Sequence, residues 1–202
     1  MDNQIESKIS AILLAAGLSR RMGGKNKLLL PYRGKPLLHW AVELLESFHF
    51  YEKIIVTTPG GLSHVALPYP VKVALNSYPE EGLSRSVRLG VSAAAGEHYL
   101  FLMADQPRLT PSVLRQILNK ARGNTDKIIF PSINGKPSTP ALFPERFRDE
   151  LLKATAGFGG RAVRAAHPEA CLTWEAESPE ELMDIDTEED YKALVVSTEN
   201  QR

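Results

Sequence analysis

The sequence predicts an α/β protein, a three-layer sandwich with a mostly parallel, Rossmann-like sheet. Apolar runs of strand length alternate along the chain with longer segments whose apolar residues have helical spacing. The first run, Ile9–Ala15, stops at Gly17 and is typical of a parallel strand that is buried on both faces. Such a sheet needs a layer of helices on each side, and the alternating order of elements supplies both layers.

The alternation is regular over the first two thirds of the chain. Residues 36–48 are predicted to be helical, because a proline is tolerated in the first turn and apolar residues follow it at helical spacing. A later helix should begin at Thr110 and Pro111, since a hydroxyl caps free amides and proline has no amide to cap. The other predicted elements are strand 53–58, strand 71–75, helix 84–95, strand 98–104 and strand 127–133.

The last third is less regular. The final helix is expected to begin near Thr187, because Asp190 lies three residues further on and completes a capping box. No internal repeat or linker divides the chain, so residues 1–202 are predicted to form a single domain, with two smaller domains as the alternative. The remaining features are a loop at 134–140, an apolar sheet edge at 141–143, a helix near 145–154, glycines at 157, 159 and 160, and a strand at Cys171–Glu175.

The composition argues against several classes of function. Lys and Arg number 24 and so do Asp and Glu, so no net field attracts nucleic acid or an anionic membrane. The apolar runs are too short to span a bilayer and the start has no secretory signal, which predicts a cytoplasmic protein. No chemistry is assigned to the single cysteine or to the five histidines, which lack ligand-like spacing: Cys171, His39, His49, His64, His98 and His167.

A basic, glycine-rich loop follows the first strand. It reads LLAAGLSRRMGGKNK from Leu13 to Lys27 and lies where open α/β sheets bind ligands. Small residues from Ala15 to Gly17 let a ligand reach backbone amides, while the cations neutralise phosphate charge. The spacing is neither that of a P-loop nor Gly-x-Gly-x-x-Gly. A solvated basic loop whose glycines only make turns remains the alternative.

Three aspartates are candidate metal ligands. Asp105 follows an apolar strand, and Mg²⁺ prefers one or two carboxylates together with phosphates and water. Asp184 and Asp186 are two residues apart, so in an extended segment both point the same way, and either could face Asp105. A turn or capping role for Asp105, and a capping role for Asp186 beside Thr187, are the alternatives.

Three stretches resemble a known family. LAAGLSRRMGGKNKLLLPYRGKPLL and the Ala-Asp-Gln-Pro and Asp-Ile-Asp-Thr-x-x-Asp segments are similar to the MobA-like molybdenum-cofactor nucleotidyltransferases, above all to the cytidylyltransferase (MocA-type) branch. The resemblance implies a fold like that of nucleotide-diphospho-sugar transferases. It also implies that Arg21 and Lys27 hold the β- and γ-phosphates, and that catalytic Mg²⁺ is held by Asp105 first, then Asp186, then Asp184. Arg20, Lys25 and Arg33 are expected to face solvent.

The resemblance extends to the nucleotide. Asn76, Gly82 and Ser84 would lie near it, with Ser86 and Arg88 as weaker candidates and a plain helix cap as the alternative for Ser84. Leu14, Ala15, Ala16 and Gly17 complete the expected nucleotide contacts. The guanylyl-transferring branch usually has glycine at the position of Ala16, and the added methyl group predicts CTP over GTP.

The expected reaction transfers CMP from CTP to the phosphate of molybdopterin, for delivery to a recipient molybdoenzyme. The resemblance is weaker in the segments that the family uses for the acceptor. Thr139 replaces the usual histidine before proline, and residues 155–161, around Phe158, lack the usual acidic residue. Transfer to a sugar or polyol phosphate therefore remains open. A non-catalytic accessory protein also remains open, and so, more distantly, does a hydride-transferring dinucleotide enzyme.

Overall fold

The computed structural model describes residues 5–23, 25–61, 70–154 and 159–199. Four residues discussed in the sequence analysis lie outside the described ranges: Gly24, His64, Gly157 and Phe158. Within those ranges, ten strands and six α-helices follow in chain order. The strands are β1 Ile9–Ala15, β2 Pro31–Tyr32, β3 Lys35–Pro36, β4 Glu52–Thr57, β5 Lys72–Leu75, β6 His98–Met103, β7 Ile128–Ile133, β8 Lys136–Pro137, β9 Ala141–Pro144 and β10 Cys171–Glu175. The helices are α1 Leu37–Glu46, α2 Leu83–Ala93, α3 Pro111–Ala121, α4 Arg148–Lys153, α5 Gly159–Ala166 and α6 Glu188–Glu199.

The central sheet has the strand order β10-β7-β9-β6-β1-β4-β5, with β8 paired to β7. All pairings in it are parallel except those of β8 and β9. The mostly parallel α/β sheet is therefore confirmed. In the regular part of the chain the predicted element ends agree with the observed ones within two residues.

Helices cover both faces of the sheet, as the alternating apolar pattern predicts. Along β1, Leu13 packs in the cluster that contains α1 and α3, whereas Ile12 and Leu14 pack on the other face with α2, α4 and α5. Burial on both faces explains why β1 has no alternation of polar and apolar residues. No helix in the described ranges combines the length and the apolar character that a membrane span requires.

Two predictions for the last third are wrong. The apolar segment at 141–143 is not a sheet edge, because β9 lies between β6 and β7 and is antiparallel to both. All four β9 residues are buried, which an interior position requires. The segment 134–140 is not simply a loop, because Asn134 and Gly135 both have positive φ and turn β7 into β8. Asn-Gly is the preferred pair for such two-residue hairpin turns, so the sequence carried that signal.

Helix α5 was not predicted, because the sequence analysis noted only a group of glycines where this helix begins. Gly160 lies against the ring of Phe143, and a Cβ built at this position would come within 2.7 Å of that ring. The glycine therefore allows the helix to pack closely on the sheet. The helix forms because Val163 buries itself in the cluster on that face, and tertiary packing outweighs weak local propensity.

The final helix begins with the predicted capping box. The Thr187 Oγ1 accepts a hydrogen bond of 3.1 Å from the Asp190 amide, and the Asp190 carboxylate accepts one of 2.8 Å from the Thr187 amide. Ile185 and Leu194 pack with Tyr32 and Leu37 in a third apolar cluster. This cluster holds the C-terminal segment over α1 and the β2–β3 hairpin, close to the carboxyl end of β1.

Candidate active site

The loop after β1 folds back so that Lys27 is buried. Ser19 adopts a positive φ and its hydroxyl accepts a hydrogen bond of 3.1 Å from the Lys27 amide. Met22 is buried beneath the loop, and Asn26 caps the short 3₁₀ helix Lys27–Leu29 by accepting from the Leu28 amide. The loop is therefore anchored by its own side chains and delivers one lysine to the interior.

Lys27 joins two aspartates that are distant in the sequence. Its Nζ lies 2.6 Å from Asp105 Oδ2 and 2.9 Å from Asp186 Oδ1. Burial alone would lower the pKa of Lys27, but the two carboxylates outweigh that effect and raise the pKa above its ordinary value. Arg21 lies at the rim, with Nη2 3.4 Å from Asp186 Oδ2. The structure thus brings together the two predicted cations and two of the three predicted metal ligands.

The segment that carries Asp184 and Asp186 is fastened beside the end of β6. The Ile185 amide donates to the Asp105 carbonyl oxygen over 2.9 Å. Gln106, which directly follows Asp105, donates from Nε2 to the Leu182 carbonyl oxygen over 2.8 Å. Sequence reasoning missed Gln106, because a side chain that holds a segment more than 70 residues away leaves no local pattern.

Asp184 lies close enough to Asp105 and Asp186 for their negative charges to affect its pKa. Partial burial raises the pKa of Asp184 to about 7, and the negative charges of Asp105 and Asp186 add to that effect. Solvent also reaches this side chain. Asp184 therefore differs from Asp186, which is paired with Lys27, and it faces a neighbouring cavity.

The site has features that fit a divalent cation. Asp105 Oδ1 is buried without a hydrogen-bond partner, so one oxygen of a buried carboxylate is available to a cation. Within the described ranges no three His, Cys, Asp or Glu side chains form a ready metal cage. Mg²⁺ typically takes one or two carboxylates and completes its shell with phosphates and water, so Asp105 and Asp186 are a sufficient protein contribution.

Most of the predicted nucleotide contacts line one cavity of about 360 Å³, which we call the first cavity. This volume is typical of small-molecule sites. The predicted residues on its walls are Leu14, Ala16, Gly17, Arg21, Lys27, Gly82, Asp105 and Asp186, and Arg20, expected to face solvent, also reaches it. Helix α2 begins at the same cavity after Gly82, which has φ 87° and no side chain to cap the first amides. The positive end of the helix dipole at this position favours an anion.

Three of the main predicted nucleotide contacts lie off the walls of this cavity. Ala15 packs in the core beneath α1, and Ser84 is buried in the first turn of α2. Asn76 is fully buried, and its Nδ2 donates to Ser86 Oγ over 3.0 Å. Ser86, a weaker candidate from the sequence, does line the first cavity. Asn76 therefore supports the serine that reaches the ligand space.

The family comparison agrees with this geometry. Residues 11–171 match the model described as the MobA-like NTP transferase domain. The chain belongs to the MobA-like NTP transferase family. The matched range includes the loop after β1, the end of β6 and most of the walls of the first cavity, and the protein is accordingly an enzyme of the nucleotidyltransferase class.

Relatives of this MobA-like protein are named for different activities. The molybdenum cofactor cytidylyltransferase of Escherichia coli (strain K12) is 28% identical over 189 residues, which cover 92% of this chain and 94% of the relative. The nicotine blue oxidoreductase of Paenarthrobacter nicotinovorans is 26% identical over 163 residues, covering 77% and 80%. A Mycobacterium tuberculosis H37Rv protein solved in complex with manganese shares the fold, with a TM-score of 0.73 at 21% identity and coverage of 94% and 99%.

Proposed function

We propose that this protein transfers CMP from CTP to the phosphate of a molybdopterin-type acceptor, with Mg²⁺ and as a single nucleotidyltransferase domain. The observation that carries the proposal is the buried Lys27 ammonium between Asp105 and Asp186, at the mouth of the glycine-rich loop. A cation and two carboxylates at one point are what a metal–triphosphate complex requires.

The chain's own groups supply the contacts to the triphosphate. Lys27 and Arg21 neutralise the β- and γ-phosphates, and the positive end of the α2 dipole, which begins at the same cavity, adds to that effect. The backbone at Gly17 is open to close approach, because nothing lies within 4 Å of the position of a Cβ there. Charge neutralisation in this partly enclosed site stabilises the transition state more than the same groups would in water.

Asp105 and Asp186 would hold the metal. Mg²⁺ in that place supplies charge neutralisation for the triphosphate and its leaving group. The orphaned Oδ1 of Asp105 supports this assignment, and so does the manganese complex of a protein with the same fold. Lys27, which now pairs with both acids, is then free to contact phosphate.

The reaction needs no covalent intermediate on the protein. A phosphate oxygen of the acceptor attacks the α-phosphorus of CTP, and the bond from that phosphorus to the α,β-bridging oxygen breaks. Pyrophosphate leaves with the bridging oxygen, and its charge is offset by Lys27 and Arg21. Catalysis then rests on positioning and charge neutralisation, which suits a site without a nucleophilic triad.

The choice of CTP rests on Ala16, which is 6% exposed and lines the first cavity. Its methyl group narrows the space that a larger purine would need. The activity for which the Escherichia coli relative is named supports both the cytidylyl donor and the molybdenum-cofactor acceptor. A recipient molybdoenzyme would then take up the product.

A second candidate acceptor is a sugar or polyol phosphate. Thr139, at the position where the resemblance leads one to expect histidine, lines the cavity next to the nucleotide site. A hydroxyl in place of an imidazole suits a polyol as well as a pterin, so this residue favours neither acceptor.

A pyrophosphate-release assay tests the proposal. CTP, GTP, ATP and UTP are each supplied with Mg²⁺, alone and together with molybdopterin or with a sugar phosphate. We expect release only with CTP and molybdopterin. Release of pyrophosphate with the sugar phosphate but not with molybdopterin would establish the sugar or polyol phosphate as the acceptor. No release with any pair of nucleotide and acceptor would overturn both candidates.

A further inference from the structure

A second cavity of about 270 Å³ adjoins the first and shares Leu14, Leu83 and Met103 with it. Its floor is apolar and aromatic: Phe101 and Phe143 meet edge to face, with ring centroids 5.6 Å apart. The β8 hairpin forms one wall and α5 forms another. A ligand in the second cavity would therefore lie next to a nucleotide in the first.

Arg164, on α5, lines the second cavity and is partly buried. Its guanidinium lies 4.6 Å from the centroid of the Phe130 ring, and Nη1 donates to the Ser138 carbonyl oxygen over 3.3 Å. Its Nε is buried and has no hydrogen-bond partner. Burial lowers the pKa of Arg164, and the positive charge of nearby Arg161 also lowers it. The stack on Phe130 fixes the plane of the guanidinium, and the buried Nε–H stays without a partner.

The charges around the second cavity are unbalanced. Neither Arg161 nor Arg164 has a carboxylate within 4.0 Å in the described parts of the chain. Asp184 is the one acid among the described residues that line this cavity. A partly buried cation without a counter-ion is costly, and a buried donor without a partner adds to that cost. An anion bound in the second cavity would supply the missing counter-charge.

We propose that the second cavity binds the distal part of the acceptor through a second anionic group, held by Arg164 with help from Arg161. This inference rests on the proposed function, because it places the acceptor beside the nucleotide. The acceptor class is then a phosphate ester whose planar or apolar body lies on Phe101 and Phe143 and carries a further anion beyond the attacking phosphate. A simple polyol phosphate lacks that group.

Anion binding can be tested without turnover. In ¹⁵N-labelled protein saturated with CTP and Mg²⁺, the arginine Nε–H signals are followed while inorganic phosphate, and separately molybdate, is added. The Arg164 signal is identified as the one that is missing from the spectrum of Arg164→Gln, and in the wild type we expect it to shift and saturate. The matched control is Arg115, an exposed arginine on α3 on the other side of the sheet. An unmoved Arg164 signal, or an equal shift at Arg115, would overturn the inference.

Kinetics give a second readout. Arg164→Gln should raise the KM for the acceptor about tenfold, because it removes a charge-assisted hydrogen bond at a partly solvated site, and leave the KM for CTP unchanged. Arg164→Lys, which keeps the charge, should recover part of the loss. If turnover is intact and the acceptor KM of Arg164→Gln equals that of the wild type, the inference fails and the proposed function stands. If no substrate pair turns over, the proposed function fails and the titration still decides the inference.

Discussion

Lys27 Nζ and Asp105 Oδ2 lie 2.6 Å apart although 78 residues separate them along the chain. Both side chains are nearly buried, at 8% and 11% exposed. Because β1 pairs with β6 in parallel, the loop that follows β1 lies beside the carboxyl end of β6, where Asp105 is located. The predictions that follow depend on this pair and on the acids beside it.

Replacing Lys27 by Met should abolish most turnover and weaken the fold. It removes a cation from the triphosphate, for which we expect a loss of kcat/KM of roughly 10²- to 10³-fold, the effect of losing one transition-state donor. It also leaves Asp105 buried without its partner, at a cost of about 3 kcal/mol in the metal-free protein. Pyrophosphate release and urea unfolding measure the two effects. Lys25→Met, at an exposed lysine of the same loop, should change neither.

Replacing Asp105 by Asn should stop turnover while the fold is retained. Asparagine keeps the size of the side chain but loses the negative charge that a divalent cation needs, so we expect a loss of about 10²-fold or more. Calorimetric titration with Mn²⁺ should show weaker binding, and circular dichroism an unchanged fold. Asp126→Asn, at an exposed aspartate, is the control. Normal activity in Asp105→Asn would refute the metal assignment.

Replacing Asp184 by Asn should change how the stability of the metal-free protein depends on pH. The pKa of Asp184 is about 7 in the folded protein, above its ordinary value of 3.8, so folding favours the protonated carboxyl. That contribution is complete below about pH 4 and is lost as the pH rises to 7. Asparagine resembles the protonated carboxyl and does not titrate. The free energy of unfolding of the variant should therefore exceed that of the wild type by an amount that grows between about pH 4 and 7 and stays constant at higher pH.

Urea unfolding between about pH 4 and 8 measures this difference, with Asp126→Asn as the control. Because solvent reaches Asp184, the effect should be smaller than that of a fully buried carboxyl. A difference between variant and wild type that stays flat across the window would contradict the raised pKa.

Replacing Ala16 by Gly should relax the choice of nucleotide. Removal of a methyl group from the wall of the first cavity admits a larger base, and we expect the ratio of kcat/KM for CTP to that for GTP to fall about tenfold, a size typical of one methyl group. Competing CTP and GTP at equal concentration gives this ratio directly. Ala15→Gly, at the neighbouring residue that faces the core, is the comparison. An unchanged ratio would mean that the base is selected elsewhere.

The regular elements could be predicted because their signals are local. The continuous apolar run of β1 and the capping box of Thr187 and Asp190 each involve residues within a few positions of one another. Helix α5 could not be predicted in this way, since Gly160 has a function only against the ring of Phe143. The interior position of β9 depends in the same way on its two neighbouring strands, which an isolated apolar segment does not reveal.

By itself the sequence determined the α/β class, and it predicted which acids and cations the structure brings together at the end of β1. Only the tertiary structure decided how they are combined: Asp186 pairs with Lys27, Asp184 faces the second cavity, and Asn76 supports Ser86 from beneath. The reason is physical. Residue types and periods are properties of short stretches, whereas these contacts arise when the apolar cluster around Ile185 and the parallel sheet bring distant segments to one edge.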